Sequence, residues 1–382
     1  MIENEDESPA LTRLIERVRS ARDCGTPLRI RGSGTKDFYG ELPQGELLDT
    51  TELSGISSYA PTELVVTARC GTPLSELEAA LAEKGQCLPF EPPHFAGDTP
   101  EATAHGGTVG GMIAAGLSGP SRAAVGAVRD YVLGATLLNG RGEVLSFGGQ
   151  VIKNVAGYDV SRLLVGSLGT LGVILEVSIK VLPVAPATTT LRFDMEAAHA
   201  LAQLHQWGGQ PLPLNASALW NGMLVVRLRG AAAAVQTATS QFLALGGEVI
   251  GPDLADPFWA GLRDHQDEFF MGAQAAVQSG GALWRLSVPQ TAPMLDLPGT
   301  PLIEWAGGQR WCVTPNASPE TADHLREIAG RAGGHATLLR SLDKAAGVFA
   351  PLSSPLDRIH RELKRSFDPH GLFNPGRLYP GL

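Results

Sequence analysis

Residues 106–119 read GGTVGGMIAAGLSG, and the rest of the chain is organised around this stretch. Glycine lets a backbone adopt positive φ and lie within van der Waals distance of a ligand, at a cost in chain entropy that an ordinary loop has no reason to bear. Successive N–H groups in such a loop form a concave anion site, and the apolar run at 112–115 predicts a short helix behind it. The stretch therefore indicates a diphosphate site, with a glycine-rich turn packed under a helix as the structural alternative.

A second loop of small residues precedes this stretch. Residues 27–31 read as a short strand that runs directly into Gly-Ser-Gly-Thr-Lys at 32–36, and a strand that opens into such a loop is typical of phosphate sites. The nicotinamide fingerprint GxGxxG is not met, because Asp37 occupies its sixth position. The sequence here disfavours a Rossmann fold.

A third glycine-rich stretch, KNVAGYDVSRLLVGSLGTLG, occupies residues 153–172. Its last seven residues place a glycine at every third position and lead into 173–182, where apolar residues alternate strictly as in a half-buried strand. Such a glycine run before a strand lets a flat ligand lie against the backbone. Taken alone, however, the stretch favours the structural interpretation, a helix packed tightly on a sheet through glycine and serine.

Composition narrows the function classes. The 382 residues exceed one ordinary domain, and 43% hydrophobic content supplies ample core. A net charge of −9 without a basic run disfavours nucleic acid and anionic membrane surfaces. The chain contains no uninterrupted apolar run of about 18 residues and has an acidic start, which predicts a cytoplasmic protein without direct membrane insertion. Its four cysteines stand singly, so we expect no metal site and no iron–sulfur cluster held by this chain alone.

The second half of the chain changes character at residue 187. Short strands and alanine-rich helices from Thr188 to Ile250 spell βαββαβ, a ferredoxin-like unit, and a less regular set follows to Arg340. The tail predicts an amphipathic helix at 354–367, closed by DPHGLFNPG. Its apolar positions are expected to face the core: Leu356, Ile359, Leu363 and Phe367.

Five motifs, in this order and spacing, resemble the vanillyl-alcohol oxidase (PCMH-type) family of FAD-binding flavoproteins. They are RGSGTK at 31–36, GGTVGGMIAAGLSGPSR at 106–122, GAVRDYVLG at 126–134, KNVAGYDVSRLLVGSLGTLG at 153–172 and DPHGLFNPGR at 368–377. Within that superfamily the resemblance extends over essentially the whole chain to the family of short FAD-binding subunits found in bacterial glycolate oxidases.

The resemblance implies an α+β fold. It consists of a PCMH-type FAD-binding domain of two α+β subdomains at 1–186, a ferredoxin-like α/β cap or partner domain at 187–349, and a C-terminal segment at 350–382 that packs back on the FAD domain.

The resemblance also implies an FAD cofactor and the residues that hold it. Members with covalent flavin carry a histidine where Thr35 stands, so a non-covalent FAD is expected, and His94 and His105 are interpreted as structural or solvent-facing. Arg129 and Asp130 are expected near the isoalloxazine. The full expected set is Arg31, Gly32, Ser33, Gly34, Thr35, Lys36, Gly107, Thr108, Val109, Gly110, Gly111, Ala114, Gly116, Ser118, Gly119, Arg129, Asp130 and Val173.

The resemblance implies an FAD-dependent oxidoreductase that serves as an accessory subunit of a complex oxidising glycolate to glyoxylate, relaying electrons or supporting assembly. Its partners would be a larger flavoprotein subunit that oxidises the hydroxyacid and an iron–sulfur subunit. Such a complex places the chain in the cytoplasm or, through its partners, at the inner membrane face. The alternatives are a self-sufficient FAD oxidase or dehydrogenase of a small 2-hydroxy acid or alcohol, and a non-catalytic flavin-bearing assembly subunit.

No catalytic residue can be assigned from the sequence. Larger hydroxyacid-oxidising relatives carry a late Gly-Glu-His-Gly motif, whereas residues 333–336 read Gly-Gly-His-Ala. Oxidising a 2-hydroxy acid needs a base for the hydroxyl proton and a cation for the carboxylate. Lys153, Tyr158, Trp284 and Arg285 remain candidate pocket groups, although core or flavin-supporting roles are favoured. Five histidines are expected at half-exposed helix positions: His199, His205, His265, His324 and His360.

Overall fold

The first part of the chain forms a small parallel layer and a larger antiparallel sheet. The structure, a computed structural model, describes residues 8–149 and 159–382. Its helices and strands before residue 184 are α1 (Pro9–Cys24), β1 (Leu28–Arg31), β2 (Glu46–Asp49), β3 (Ile56–Ala60), β4 (Val65–Arg69), α2 (Leu74–Ala82), β5 (Gln86–Cys87), α3 (Pro100–Ala104), α4 (Val109–Ala115), α5 (Arg122–Val125), α6 (Val128–Tyr131), β6 (Val132–Leu138), β7 (Val144–Gly148), α7 (Val160–Leu163), β8 (Val173–Lys180) and β9 (Leu182–Pro183).

The larger sheet is antiparallel and has the strand order β3-β4-β8-β6-β7. Helices α2 and α4 pack on it through fully buried residues such as Leu77 and Ile113, against Val66 and Val177 of the sheet. The glycine-rich stretch therefore enters the core through the apolar face of α4 while its first residues stay at the edge. Arg129 lies in α6, because Asp130 accepts a hydrogen bond from the Ala127 N–H and starts a helical turn there.

The second part of the chain forms one antiparallel sheet of eight strands, order β13-β10-β12-β11-β15-β16-β14-β17. Its elements are β10 (Ala187–Asp194), α8 (Ala197–Gly208), β11 (Leu214–Trp220), β12 (Met223–Gly230), α9 (Ala232–Ala244), β13 (Glu248–Ile250), α10 (Pro252–Asp264), α11 (Glu268–Gln278), β14 (Ala282–Ser287), β15 (Leu302–Glu304), β16 (Gln309–Thr314), α12 (Pro319–Arg331) and β17 (His335–Ser341). The strands from β10 to β13 follow the ferredoxin-like order, and those from β14 to β17 repeat it with a loop at 288–301 in place of the first helix.

The tail returns to the first part of the chain after α13 (Ser354–Phe367). The Leu28 N–H donates to the Leu372 carbonyl over 2.7 Å, and the Asn374 N–H donates to the Leu28 carbonyl over 2.9 Å. The tail thus lies beside β1 as an added extended segment. The numerical boundaries at 186 and 349 stay a prediction.

The predicted inward face of α13 is wrong for two of its four residues. Leu356 is 48% exposed and Ile359 is 50% exposed, whereas Leu363 and Phe367 pack against the core of the first sheet. The side chain buried most deeply in α13 is instead Lys364, whose Nζ donates to the carbonyls of Thr170 and Phe373. In the described part of the chain, no helix is both long and apolar enough to cross a bilayer.

Candidate cofactor site

The two glycine-rich loops meet at a pair of cavities of about 90 and 70 Å³. Both cavities are lined by Gly32 of the first loop and by Gly111 and Ala114 of α4. The shared wall is completed by Ile30, Leu168 and Asn374. The residues that follow β4 fix the start of α4: the Val109 N–H donates to the Thr72 carbonyl and the Gly110 N–H to the Cys70 carbonyl. Residues far apart in the sequence thus form one wall of backbone and small side chains.

The glycines at this junction serve two different purposes. A β-carbon at Gly110 would lie 2.7 Å from Cβ of Cys70, and one at Gly32 would collide with the Thr108 hydroxyl, so these two glycines allow the loops to pack. A β-carbon at Gly111 would meet only Oγ1 of Thr108, at 3.2 Å, and otherwise projects into open space. The open side of Gly111 is the side that lines both cavities, which is the geometry expected of a backbone approached by a ligand.

Lys36 gives the first cavity an unpaired positive charge. Its Nζ is 3.4 Å from the Thr35 hydroxyl and forms no ion pair among the described residues. Desolvation by burial, only partly offset by Asp264, lowers the pKa of Lys36 to about 8. Arg31, by contrast, is neutralised by Asp37 and Asp98. An ammonium group with no ion pair among the described residues, in a cavity lined by glycine, fits a phosphate-bearing ligand.

Two residues that the tail contributes to the cavity wall were not predicted from the sequence. Asn374 accepts from the Ile30 N–H over 2.8 Å through Oδ1 and donates to the Leu168 carbonyl over 2.6 Å through Nδ2. Arg377 donates to the Asp37 carbonyl over 2.8 Å. Both belong to the closing motif at 368–377, which was placed on the first domain but not in the site. The signal was the motif itself, a polar amide followed by proline, glycine and a cation.

The remaining expected site residues divide into three groups. Residues 31–36 and Thr108 line the first cavity, and Gly110 lines the second. Gly107 lies against Lys36, because a β-carbon there would be 2.8 Å from Nζ. The others lie elsewhere. Val109 and Val173 are fully buried in the core, and Gly116 packs against Gly166. Ser118 and Gly119 line a separate void near Arg285, whereas Arg129 and Asp130 border a larger cavity of about 640 Å³ between α7 and α13.

Of the candidate pocket groups, Arg285 alone is placed at a cavity in the described residues. Trp284 is fully buried and donates from Nε1 to the Thr314 hydroxyl, so it is a core residue. Lys153 and Tyr158 lie outside the described residues. His265 is not a half-exposed helix residue: it follows α10 in a left-handed conformation, is 7% exposed, and stacks on Phe270.

The chain is similar in sequence to an FAD-binding family and to glycolate oxidase subunits. A family model described as "FAD binding domain" matches residues 11–148. The chain is 46% identical over 369 residues to glycolate oxidase subunit GlcE of Escherichia coli, covering 97% of both chains. It is also 32% identical over 179 residues to glycolate oxidase subunit GlcD of Bacillus subtilis, covering 46% of this chain and 36% of that protein.

Among solved structures, alkyldihydroxyacetonephosphate synthase matches 95% of this chain and 75% of its own chain with a TM-score of 0.65 at 15% identity, a likeness of fold alone. The α+β fold class predicted from the sequence is confirmed.

Proposed function

Because this chain belongs to the family of glycolate oxidase subunit GlcE, we propose that it is the FAD-carrying subunit of an oxidoreductase complex that converts glycolate to glyoxylate. FAD, when bound, accepts the electrons. The observation that carries the proposal is the open side of Gly111 beside the unpaired cation of Lys36, in a cavity that both glycine loops line. That combination suits the diphosphate of an FAD that is bound non-covalently. Residue 35, where members of the resembling family with covalent flavin carry a histidine, is a buried threonine in this chain.

We assign cofactor-binding roles by position. Residues 31–36, Gly107, Thr108 and residues 110–111 would hold the diphosphate, with Ala114 beneath it and Asn374 as the far wall. Ser118 and Gly119 would face the flavin end, since they follow the C-terminal end of α4 and line a void together with residues of the second sheet. In this arrangement residues 1–186 form the FAD domain, 187–349 the cap or partner domain, and 350–382 the returning segment.

The complex would contain a larger flavoprotein subunit that oxidises the hydroxyacid and an iron–sulfur subunit that carries electrons onward. Relatives named as separate glycolate oxidase subunits support a multi-subunit complex. The flavin of this chain would then relay electrons, in the cytoplasm or at the inner membrane face, where partners would hold it.

Anaerobic reduction of the isolated, FAD-loaded chain by glycolate tests the role. Bleaching of the flavin only after addition of the partner subunit supports the relay. Bleaching of the isolated chain at the same rate would instead identify a self-sufficient dehydrogenase, and a flavin that never bleaches in the working complex would identify an assembly subunit.

A further inference from the structure

Residues 37–41 continue the first glycine-rich loop and lie against the second part of the chain. The loop and this segment form one turn, because the Asp37 N–H donates to the Gly34 carbonyl and the Tyr39 N–H to the Lys36 carbonyl, each over 3.0 Å. Gly34 and Lys36 line the first cavity. A displacement of residues 37–41 would therefore move the cation of Lys36 within that cavity.

Lys344 holds the far end of this turn from the second part of the chain. Its Nζ donates to the Phe38 carbonyl over 2.7 Å and to the Gly40 carbonyl over 2.5 Å. A cation that binds the last carbonyls of a turn stabilises it as it does at the C-terminus of a helix. Desolvation by burial is the main reason why the pKa of Lys344 is lowered to about 8, so its ammonium group is held here at a cost in solvation.

The loop that carries Lys344, residues 342–349, is fixed within the second part of the chain. The Gly347 N–H donates to the Lys344 carbonyl over 2.8 Å, and Nη2 of Arg326 on α12 donates to the Gly347 carbonyl over the same distance. Val348 in the same loop is fully buried. The ammonium group is thus presented from a backbone that the second part of the chain holds in place.

Two further contacts join this loop to residues 37–41. The Val348 N–H donates to Oε1 of Glu41 over 2.6 Å, and the Phe349 ring lies edge-on to the Tyr39 ring with 5.7 Å between their centroids. Neither cavity at Gly111 is lined by any of residues 342–349, all of which the structure describes. The loop can therefore act on a ligand there only through the turn that it holds.

We infer that Lys344 is a positioning residue for the cofactor: by holding the Phe38 and Gly40 carbonyls, it keeps residues 32–36 in the conformation that receives a diphosphate. A loop that is ordered before binding loses less conformational entropy when the ligand arrives, so its affinity is higher. The affinity for FAD then depends on the second part of the chain. The inference rests on the proposed function, which places the FAD diphosphate at residues 32–36.

Titration of the full-length apoprotein with FAD, followed by flavin fluorescence, tests the inference. Lys344→Met should raise the FAD dissociation constant about tenfold or more, because both carbonyls lose their donor. Lys344→Arg should stay within about threefold of the wild type, since a guanidinium group can donate to two carbonyls. Should Lys344→Met fail to fold, Lys344→Gln keeps a donor without the charge and should give an intermediate value.

Arg310→Met is the matched control. Arg310 on β16 is also a cation that donates to backbone carbonyls, those of Gly307 and Ala292, but it lines neither cavity at Gly111. Its replacement should lower the melting temperature of the apoprotein and leave the FAD dissociation constant of the folded protein unchanged. Thermal melting of each apoprotein is measured beside the titration, so that lost affinity is separated from lost stability.

A folded Lys344→Met or Lys344→Gln protein that binds FAD like the wild type would overturn the inference and leave the proposed function in place. Equal weakening in Lys344→Met and Arg310→Met would also overturn it, because affinity would then follow stability alone. A wild-type chain that cannot be loaded with FAD would contradict the proposed function, and the inference with it.

Discussion

At the scale of single residues, Gly111 separates ligand contact from backbone packing. Gly111→Val places a branched side chain in the cavity without colliding with the protein backbone, so we expect loss of most bound FAD with little change in the stability of the apoprotein. Gly330→Val is the matched control, because Gly330 also lies inside a helix and its β-carbon would meet nothing within 4 Å. Flavin absorbance per protein and thermal melting give the answer. Full flavin content in Gly111→Val would remove this loop from the site.

The positive charge of Lys36 is expected to lower the stability of the apoprotein and to strengthen its binding of FAD. Its folded pKa, about 8, lies below the ordinary value of 10.5, so the unfolded chain binds more protons between those values and the apoprotein should gain stability as pH rises through that window. The gain in unfolding free energy is at most about 3 kcal/mol, because solvent screening reduces it.

Lys36→Met should therefore stabilise the apoprotein at pH 7, abolish this rise above pH 8, and weaken FAD binding. Urea unfolding of the apoprotein from pH 7 to pH 10 and an FAD titration measure the two effects. A variant that loses apoprotein stability and keeps its FAD affinity would refute the assignment.

At the scale of elements, α13 is held by its lysine rather than by its apolar stripe. Lys364 forms an ion pair of 2.7 Å with Asp368, which is 2% exposed and also accepts from the N–H groups of Leu372 and Phe373. Lys364→Met leaves that carboxylate without its cation and should cost about 3–5 kcal/mol in unfolding free energy. Ile359→Ala, at a half-exposed position, should cost well under half as much. Equal losses in a denaturant titration would show that the apolar stripe holds the helix after all.

At the scale of the whole molecule, the largely buried carboxylate of Glu91 joins the two halves. Glu91 accepts from Nη2 of Arg227 through both oxygens over 2.7 Å and from Nη1 of Arg229 over 3.0 Å. Burial raises the pKa of Glu91, but Arg227 and Arg229 outweigh it and leave that pKa below its ordinary value, so the link persists into mildly acidic solution.

Glu91→Gln should destabilise the fold by about 3 kcal/mol and let the halves melt separately, because Arg227 stays buried without a counter-ion. Glu248→Gln, at the exposed Arg192 pair, should change little. Calorimetry distinguishes them, and a single unchanged transition in Glu91→Gln would contradict the prediction.

Part of the fold could be predicted because its sequence signals are local. Strand and helix periodicity act over a few residues, and their order was enough for the ferredoxin-like strands. The α+β class followed from the resemblance of five motifs to a known family. The site depends on contacts across long separations. Asn374 reaches Ile30 through the returning tail, across a separation of 344 residues. Helical periodicity gave the stripe of α13 but not what covers it, which depends on tertiary packing.

The contact between Asn374 and Ile30 also determines when the cavity can be completed during synthesis of the chain. Ile30 leaves the ribosome more than three hundred residues before Asn374. The side of the cavity formed by β1 is therefore synthesised long before the side formed by Asn374. A nascent chain that has already formed both glycine loops still lacks the amide that fixes β1 against Leu168. Flavin loading is therefore expected to follow release of the chain. Chains whose synthesis stops before the tail should contain no bound FAD and should be degraded rather than assembled.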